Sequence, residues 1–384
     1  MDAQRGGYIM RVFKAELKKL LILFKADPKS LVAGIIAPTI ILIVFAFTFG
    51  DFTSLKLACV NEDTGIYGEK LETAVFTQIS PLGNRPYFEE TETDYETAIE
   101  LYQQGKVNGV IIIPETFSTN LEDGKNANIN YIFNNYNTDM AKNLRLYLKE
   151  GILDFYRSID SNLQIEVNEV LNVETQLHWF NIIAIAVFLL AFLLGSMFNM
   201  LYLFYKEKVD DTLYEYRLSP NNIWSSLFAR VVIALLAGTI TAGINAVLVY
   251  FITGINLAVF LPGMILPLLI LGITYVFFAE IIALLTNSFS GAAVFTMAAT
   301  VVLWFLSGAT ASIKYSTGIL RSIALVIPNT YGLSQIRGIV FDMDPSVGGI
   351  LGMKEGWIIM FAYALVAMAL AFYIYRKKLA RMVG

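Results

Sequence analysis

The sequence has few residues of the kinds that carry metal, redox or nucleophilic chemistry. Its 384 residues include one cysteine, Cys59, and one histidine, His178. A single cysteine excludes an internal disulfide, and the two residues provide no cluster with metal-ligand spacing. His178 precedes a hydrophobic segment, so no histidine is placed to activate a nucleophile inside a membrane. We therefore expect no metal site, no bound cofactor and no catalytic residue.

A P-loop is also missing. Gly105-Lys106 and Gly124-Lys125 have neither the preceding glycine nor the following hydroxyl residue of a G-x-x-x-x-G-K-[ST] motif. The chain is therefore not itself a P-loop ATPase.

Charge is scarce and strongly segregated. Charged residues make up 16% of the chain against 56% hydrophobic residues, and the mean hydropathy is +0.58, which indicates an integral membrane protein. Residues 1–30 carry 7 basic and 3 acidic groups, residues 51–177 carry 9 and 21, and the tail Arg376–Gly384 carries 4 and 0. Basic residues near spans favour the cytoplasm, so both termini are predicted to be cytoplasmic.

Long uncharged runs predict six transmembrane helices. Ser30–Gly50 is long enough to cross a bilayer and is interpreted as a retained span, because it is longer than a signal-peptide core and lacks a convincing cleavage site. The uncharged run 231–279 is too long for one crossing and is divided by a predicted break at Thr253–Pro262. The remaining predicted spans are Trp179–Phe204, Gly291–Leu306 and Trp357–Tyr375.

Residues 51–177, between the first two spans, alternate strand-like and helix-like patterns. They predict an inserted α/β domain, placed outside the cell by the topology and large enough to bury its own core. The predicted strands are Leu55–Asn61, Val107–Glu115 and Asn128–Asn135, and the predicted helices are Tyr67–Ile79, Asp94–Gln104 and Thr138–Val173.

Two amphipathic segments are predicted on the cytoplasmic side. Tyr8–Ala26 has apolar residues at helical spacing and basic residues on other faces, which is typical of an interfacial helix. Tyr205–Arg230 is the only substantial polar segment in the hydrophobic C-terminal half. Within it, residues 206–218 have the pattern of a short amphipathic helix that ends at Ser219-Pro220; a solvated linker is the alternative.

Other features leave alternatives open. Glu280 is the only ionisable residue between Arg230 and Lys314, and it is a candidate intramembrane acid in transport or, alternatively, a hydrated or helix-pairing group. Residues 316–341 predict two short helices hinged at Pro328, which dip into the outer leaflet or else form a surface loop. Small residues at 234, 238, 242 and 246 predict a helix contact within the bundle, or less plausibly a dimer contact.

The order of these parts resembles the permease subunits of type-2 ABC exporters, in the subgroup with a large extracellular insert. The resemblance is carried by residues 8–26, by KEKVDDTLYEYRLSP (206–220), by SGATAS (307–312) with VIPNTYGLSQIRGIV (326–340), and by AIELYQQGKVNGVIIIPETFSTNLEDGK (98–125). It implies an α-helical integral membrane protein with an N-terminal elbow helix, six spans, a cytoplasmic coupling helix and two extracellular re-entrant helices.

The resemblance also implies site residues. The predicted elbow residues are Phe13, Leu17, Lys18 and Leu21, and the predicted re-entrant gate contains Pro328, Tyr331 and Arg337. The predicted ATPase-coupling residues are Lys206, Glu207, Val209, Asp210, Asp211, Thr212, Leu213, Glu215, Tyr216, Arg217 and Pro220.

The function implied is ATP-driven export of a hydrophobic or amphiphilic substrate across the plasma membrane of a prokaryote. The implied partners are two copies of a cytosolic ABC ATPase, which would bind ATP and Mg²⁺, a second permease chain and membrane lipid; no nucleic acid is expected. The alternative from another class is a membrane-anchored receptor or sensor whose ectodomain binds an extracellular partner. An intramembrane enzyme has no residue constellation to support it.

Overall fold

The chain divides into two units in a computed structural model. One unit consists of residues 1–50 with 177–384, and the other of residues 51–176. The structure describes residues 2–26, 28–49, 54–80, 85–133, 138–159, 179–210, 212, 223–310, 313, 318–342 and 353–381.

The first unit is helical. Its helices are α1 (Asp2–Ala26), α2 (Lys29–Phe49), α7 (Trp179–Val209), α8 (Ile223–Thr253), α9 (Leu257–Leu285), α10 (Phe289–Leu306), α11 (Gly318–Val326), α12 (Pro328–Phe341) and α13 (Met353–Arg381). Among the described residues, six of these helices (α2, α7, α8, α9, α10 and α13) are long and apolar enough to cross a membrane. The prediction of a helical multi-pass membrane protein is therefore confirmed.

The centre of this unit is α7. Its residues from Ile183 to Leu201 are buried all round, as expected for a helix that is hydrophobic on every face. The polar side chains on it bond locally: Asn199 donates to the Gly195 carbonyl at 2.7 Å and accepts from Ser30 Oγ on α2 at 2.8 Å. The central helix thus buries few polar groups without partners.

Glycines let α2, α7 and α8 approach closely. A Cβ atom at Gly195 would lie 2.5 Å from Thr241 Oγ1, and one at Gly34 would lie 3.0 Å from the Gly195 Cα. A Cβ at Gly238 would lie 1.9 Å from Ser196 Oγ. The small-residue face of α8 therefore contacts α7 within the bundle, the first of the two predicted alternatives.

The break between α8 and α9 is shorter than predicted. It covers only Gly254–Asn256: Gly254 has a φ of +76°, and the Asn256 side chain accepts from the Ala258 amide at 3.2 Å as an N-cap. The prediction that the break extends to Pro262 is wrong, because Pro262 and Pro267 lie inside α9. Prolines are tolerated in membrane helices, where neighbouring groups satisfy the freed carbonyls.

The second unit is a mixed α/β structure. Its strands are β1 (Leu55–Asn61), β2 (Ile79–Ser80), β3 (Arg85–Pro86), β4 (Phe88–Glu92), β5 (Gly109–Ile113) and β6 (Asn130–Phe133), and its helices are α3 (Ile66–Phe76), α4 (Tyr95–Gln103), α5 (Phe117–Glu122) and α6 (Thr138–Ile159). The main sheet has the order β4-β1-β5-β6, with β1 parallel to β4 and β5, and β6 antiparallel to β5.

Both faces of this sheet are covered, which explains the continuous apolar runs of β1 and β5. Leu57, Cys59 and Ile111 pack towards α3, α5 and α6, while Ala58 and Val110 face α4. Parallel strands buried on both sides read as unbroken hydrophobic segments.

Candidate functional site: a buried ionic cluster

Arg230 of α8 is the centre of a charged cluster inside the helical unit. Its side chain is fully buried, with Nε 3.2 Å from a Glu207 carboxylate oxygen on α7 and Nη1 3.2 Å from Glu280 Oε1 on α9. Its Nη2 donates to Ser226 Oγ at 3.1 Å and to the Tyr375 hydroxyl on α13 at 3.0 Å. One guanidinium therefore joins four spanning helices.

Aromatic rings complete the surroundings of this guanidinium. Its central carbon lies 5.6 Å from the Phe204 ring centroid and 5.3 Å from that of Tyr375. A planar, weakly hydrated guanidinium suits such a mixed environment better than an ammonium group, because it can stack on rings while bonding carboxylates at its edge.

Lys19 connects the same cluster to α1. Its Nζ lies 2.7 Å from Glu207 Oε1, and Glu207 is itself fully buried. Glu16, one turn earlier on α1, forms a second ion pair with Lys19 at 3.0 Å. The carboxylate of Glu207 therefore bridges a cation on the N-terminal helix and a cation on α8.

Glu207 lies between the two cations of the cluster. Lys19 and Arg230 supply two positive charges, Glu207 and Glu280 supply two negative charges, and Glu16 adds a third negative charge beside Lys19 on α1. Buried ion pairs contribute little net stability, but the loss of one partner is costly because it leaves an uncompensated buried charge. Such a cluster holds its helices in specific relative positions, so a shift of any one helix changes the contacts of the others.

The predicted coupling residues lie beside this cluster where the structure describes them. Lys206, Glu207 and Val209 belong to the last turns of α7 rather than to a separate helix, and Lys206 pairs with Asp210 at 3.3 Å. The Thr212 hydroxyl donates to the Glu207 carbonyl at 3.1 Å. The other predicted coupling residues, Asp211, Leu213, Glu215, Tyr216, Arg217 and Pro220, lie outside the described residues.

The predicted elbow residues lie on different faces of α1. Phe13 and Leu17 pack around buried Leu20 against α7 and α8, whereas Lys18 and Leu21 are exposed. Phe13, Leu17 and Leu20 on the apolar face of this helix therefore contact the helical unit itself, whereas the amphipathic pattern had suggested that this face contacts lipid acyl chains.

The predicted gate residues brace the α11–α12 pair. Pro328 is the first residue of α12, and the Tyr331 hydroxyl donates to the Leu325 carbonyl at 2.6 Å. Arg337 is buried and donates to three backbone carbonyls, those of Gly308, Ala309 and Ile182, at 2.6–3.1 Å. It satisfies backbone carbonyls where α10 ends and near the start of α7, and its part in a gate stays a prediction.

A comparison with protein families decides the class of the chain. The family model described as ABC-2 family transporter protein matches residues 29–373. The chain belongs to the ABC-2 transporter family. A search of curated proteins returned no match.

Membership makes the chain the transmembrane permease component of an ABC transporter, a component that pairs with an ABC ATPase subunit. In this permease the ionic cluster lies where α1 meets the last turns of α7, and its Glu207 is one of the residues predicted to couple to an ATPase. The cluster therefore overlaps the start of the predicted coupling segment.

Sequence reasoning found Glu280 and Glu207 but missed the residues that join them in the permease. Arg230 was interpreted only as the end of the polar segment, and neither Lys19 nor Tyr375 was selected. The available signal was Arg230 itself. It is a charged residue directly before the uncharged run 231–279, and it lies 50 positions before the lone Glu280.

One further grouping of potential ligand atoms lies in the α/β unit. Cys59 Sγ and the carboxylates of Glu72 and Glu90 lie within 4.8 Å of one another. Glu72 accepts from the Asn61 amide at 2.7 Å, and Glu90 is exposed on β4. This grouping is the one place, in the part of the chain described, where a metal ion could find three such ligands.

Proposed function

We propose that the chain is the permease of an ATP-driven exporter that moves a hydrophobic or amphiphilic substrate out across the plasma membrane of a prokaryote. Two copies of a separate ABC ATPase supply ATP hydrolysis, and a second permease chain, identical or similar, completes the transporter. Both termini lie in the cytoplasm, and residues 51–177 form an extracellular domain.

The observation that carries this proposal is the ionic cluster. It joins α1 to α7, α8, α9 and α13 through Glu207 and Arg230, in the last turns of α7, where the predicted coupling segment 206–220 begins. Force applied to that segment by an ATPase would act first on Glu207. Since Glu207 shares its two carboxylate oxygens between Lys19 and Arg230, the displacement would reach the elbow helix and the bundle together.

The mechanism requires two arrangements of the bundle that bind the ATP-loaded ATPase differently. A network of discrete ion pairs favours alternative packed states over a continuous deformation, because partly separated buried charges are unfavourable. ATP binding would therefore select one arrangement of the cluster, and hydrolysis would release it.

The direct test is reconstitution of the chain in lipid nanodiscs with a candidate ABC ATPase from the same organism. A stable complex with ATPase activity that depends on the permease is expected. A chain that binds no ATPase and functions alone would overturn the proposal in favour of the receptor alternative.

A sharper test breaks the link between the elbow and the bundle. Lys19→Gln removes the partly solvent-exposed ion pair with Glu207, together with the pair with Glu16 inside α1, so the complex should assemble while substrate stimulation of ATPase activity falls by up to ~5-fold. Lys14→Gln is the matched control, since Lys14 is exposed on the same helix. Equal stimulation in both variants would remove the elbow contact from the coupling mechanism.

A further inference from the structure

Two cavities lie along one side of α9 in the helical unit. The larger is a groove of about 850 Å³ that opens to the surface of the unit; it lies beneath α11 and is lined by the exposed Ile319 and Ile323 of that helix and by Tyr363 of α13. The smaller, of about 190 Å³, lies between α7, α9 and α10 and is lined by Met197, Ile282 and Thr296. The volume of the larger one falls in the range of small-molecule sites, ~300–1,000 Å³.

The two cavities share three wall residues. Tyr275 and Phe278 of α9 and Leu303 of α10 line both. The smaller cavity extends along α9 from Tyr275 to Ile282, about 10 Å at 1.5 Å per residue, towards the end of α9 that carries Glu280. The larger continues from the same three side chains to α11, so the two cavities follow the bundle lengthwise and only these side chains separate them.

Both cavities are lined almost entirely by apolar side chains, and no charged residue lines either. An ionised ligand would therefore enter without a counter-charge, at a cost of several kcal/mol in a medium without water. The lining favours an uncharged ligand with an apolar chain.

Two hydroxyl groups in the smaller cavity lack the hydrogen bonds expected of them. Threonines in membrane helices usually bond the carbonyl four residues earlier, as Thr239 and Thr274 do at 2.9 Å. Thr296 does not: its fully buried hydroxyl has no hydrogen-bond partner among the residues described, and neither has the hydroxyl of Tyr275. The Asn329 amide lies within hydrogen-bonding reach of the Tyr275 hydroxyl, yet neither group has a completed hydrogen bond among the residues described.

Buried polar groups without partners cost free energy, so two of them on one cavity wall require an explanation. A ligand with a hydroxyl, ester or amide group in this cavity would offer these hydroxyls a hydrogen-bond partner, because each hydroxyl can donate and accept. The apolar wall towards α11 would then hold the ligand's chain.

We propose that the paired cavities form a binding path for an uncharged, single-chain amphiphile, in which Tyr275 and Thr296 bind its polar group and Tyr275, Phe278 and Leu303 form the constriction. The path lies within one chain. This inference rests on the proposed function for its role in export, but binding itself needs neither ATP nor an ATPase.

The test uses the full chain alone in nanodiscs, with a photoactivatable analogue of monoolein as the probe. Saturable labelling is expected around Tyr275 and Leu303, with competition by unlabelled monoolein and weaker competition by oleate, which is anionic. Labelling spread evenly over the lipid-facing helices, or equal competition by oleate, would overturn the proposal.

Variants that delete single hydroxyls separate binding from structure. Tyr275→Phe and Thr296→Val should each weaken saturable labelling by about 5-fold, the effect of one hydrogen bond of ~1 kcal/mol. The matched control is Thr239→Val, which removes a hydroxyl from a different apolar groove, between α8 and α9, and should leave labelling unchanged.

Thermal stability gives a second readout, because removal of a hydroxyl that stabilises the fold would lower the unfolding midpoint, whereas removal of a hydroxyl that only binds ligand would not. Because the two hydroxyls lack partners, their removal should leave the ligand-free chain equally stable or more stable. Loss of stability together with unchanged labelling would show that the hydroxyls serve the fold, and the proposal would fail. Normal labelling without ATPase coupling would instead refute the proposed function and leave the binding path intact.

Discussion

The Arg230–Glu280 pair permits a quantitative test of the ionic cluster. Arg230→Met would leave Glu280 buried without the ion-pair partner that the structure shows, while Glu207 would keep Lys19 at 2.7 Å. Glu280→Leu is milder, since Arg230 keeps Glu207 at 3.2 Å and two hydroxyl acceptors. Removing one partner of a buried pair costs ~3–5 kcal/mol, and we expect Arg230→Met near the upper value and Glu280→Leu near the lower.

The double variant is the decisive measurement. With both side chains apolar, the remaining Glu207–Lys19 pair is balanced, so the double variant should be more stable than Arg230→Met alone by ~1–3 kcal/mol. The assay is thermal unfolding in nanodiscs, where the single variants should lower the midpoint by ~6–10 °C, at ~2 °C per kcal/mol for a unit of this size. Lys18→Met, an exposed elbow change, should have almost no effect. Additive losses in the double variant would refute the reasoning.

Two further predictions concern packing and capping. Gly238→Ala should destabilise the bundle by ~1–3 kcal/mol in the same unfolding assay, because its Cβ would meet Ser196 Oγ at 1.9 Å. The control is Gly243→Ala, which should be neutral or stabilising because no atom lies within 4 Å of its Cβ. Equal unfolding midpoints for the two variants would contradict this packing. Asp94 is the N-cap of α4, and hydrogen bonds from Thr97 lower the pKa of its carboxyl group. The ionised cap therefore stabilises the helix fully above the unfolded-state pKa of ~3.9, and this stabilisation is lost as the pH falls below that value. The protection of the Thr97 amide against hydrogen exchange, relative to its intrinsic rate, should fall below that pH in the wild type but not in Asp94→Asn, and an equal loss of protection would contradict the cap.

The spans were predictable because the bilayer imposes a strict requirement on the chain. A helix that crosses hydrocarbon needs about 20 apolar residues, and few other constraints override that signal. The same reasoning misplaced the end of the α8–α9 break, since Pro262 is a helix breaker in water but lies inside α9. The local signals that fixed the true break, Gly254 in a left-handed conformation and Asn256 as a cap, were both inside the predicted segment.

The α/β unit shows where pattern recognition fails. The predicted strand Leu55–Asn61 is β1 with the same bounds, because both faces of β1 are buried and its apolar run is continuous. β4 was not predicted, since its sequence FEETE is mostly acidic. It is an edge strand paired only with β1 in the main sheet as described, and exposed acidic side chains at an edge discourage pairing with other chains. Propensity alone cannot detect such a strand.

The sequence contained a signal for Arg230 and Glu280 but not for the whole ionic cluster, because its members are far apart in the chain and meet only through helix packing. Once they are placed, α9 connects the two candidate sites. It carries Glu280, bound to Arg230, and five residues earlier Tyr275, which lines both cavities. Five residues of a helix span only about 7.5 Å, so a displacement that changes the Arg230–Glu280 contact also moves the constriction at Tyr275. A displacement of Glu207 by an ATPase would therefore be transmitted to the proposed binding path through the Glu207–Arg230 and Arg230–Glu280 ion pairs and through the helix α9.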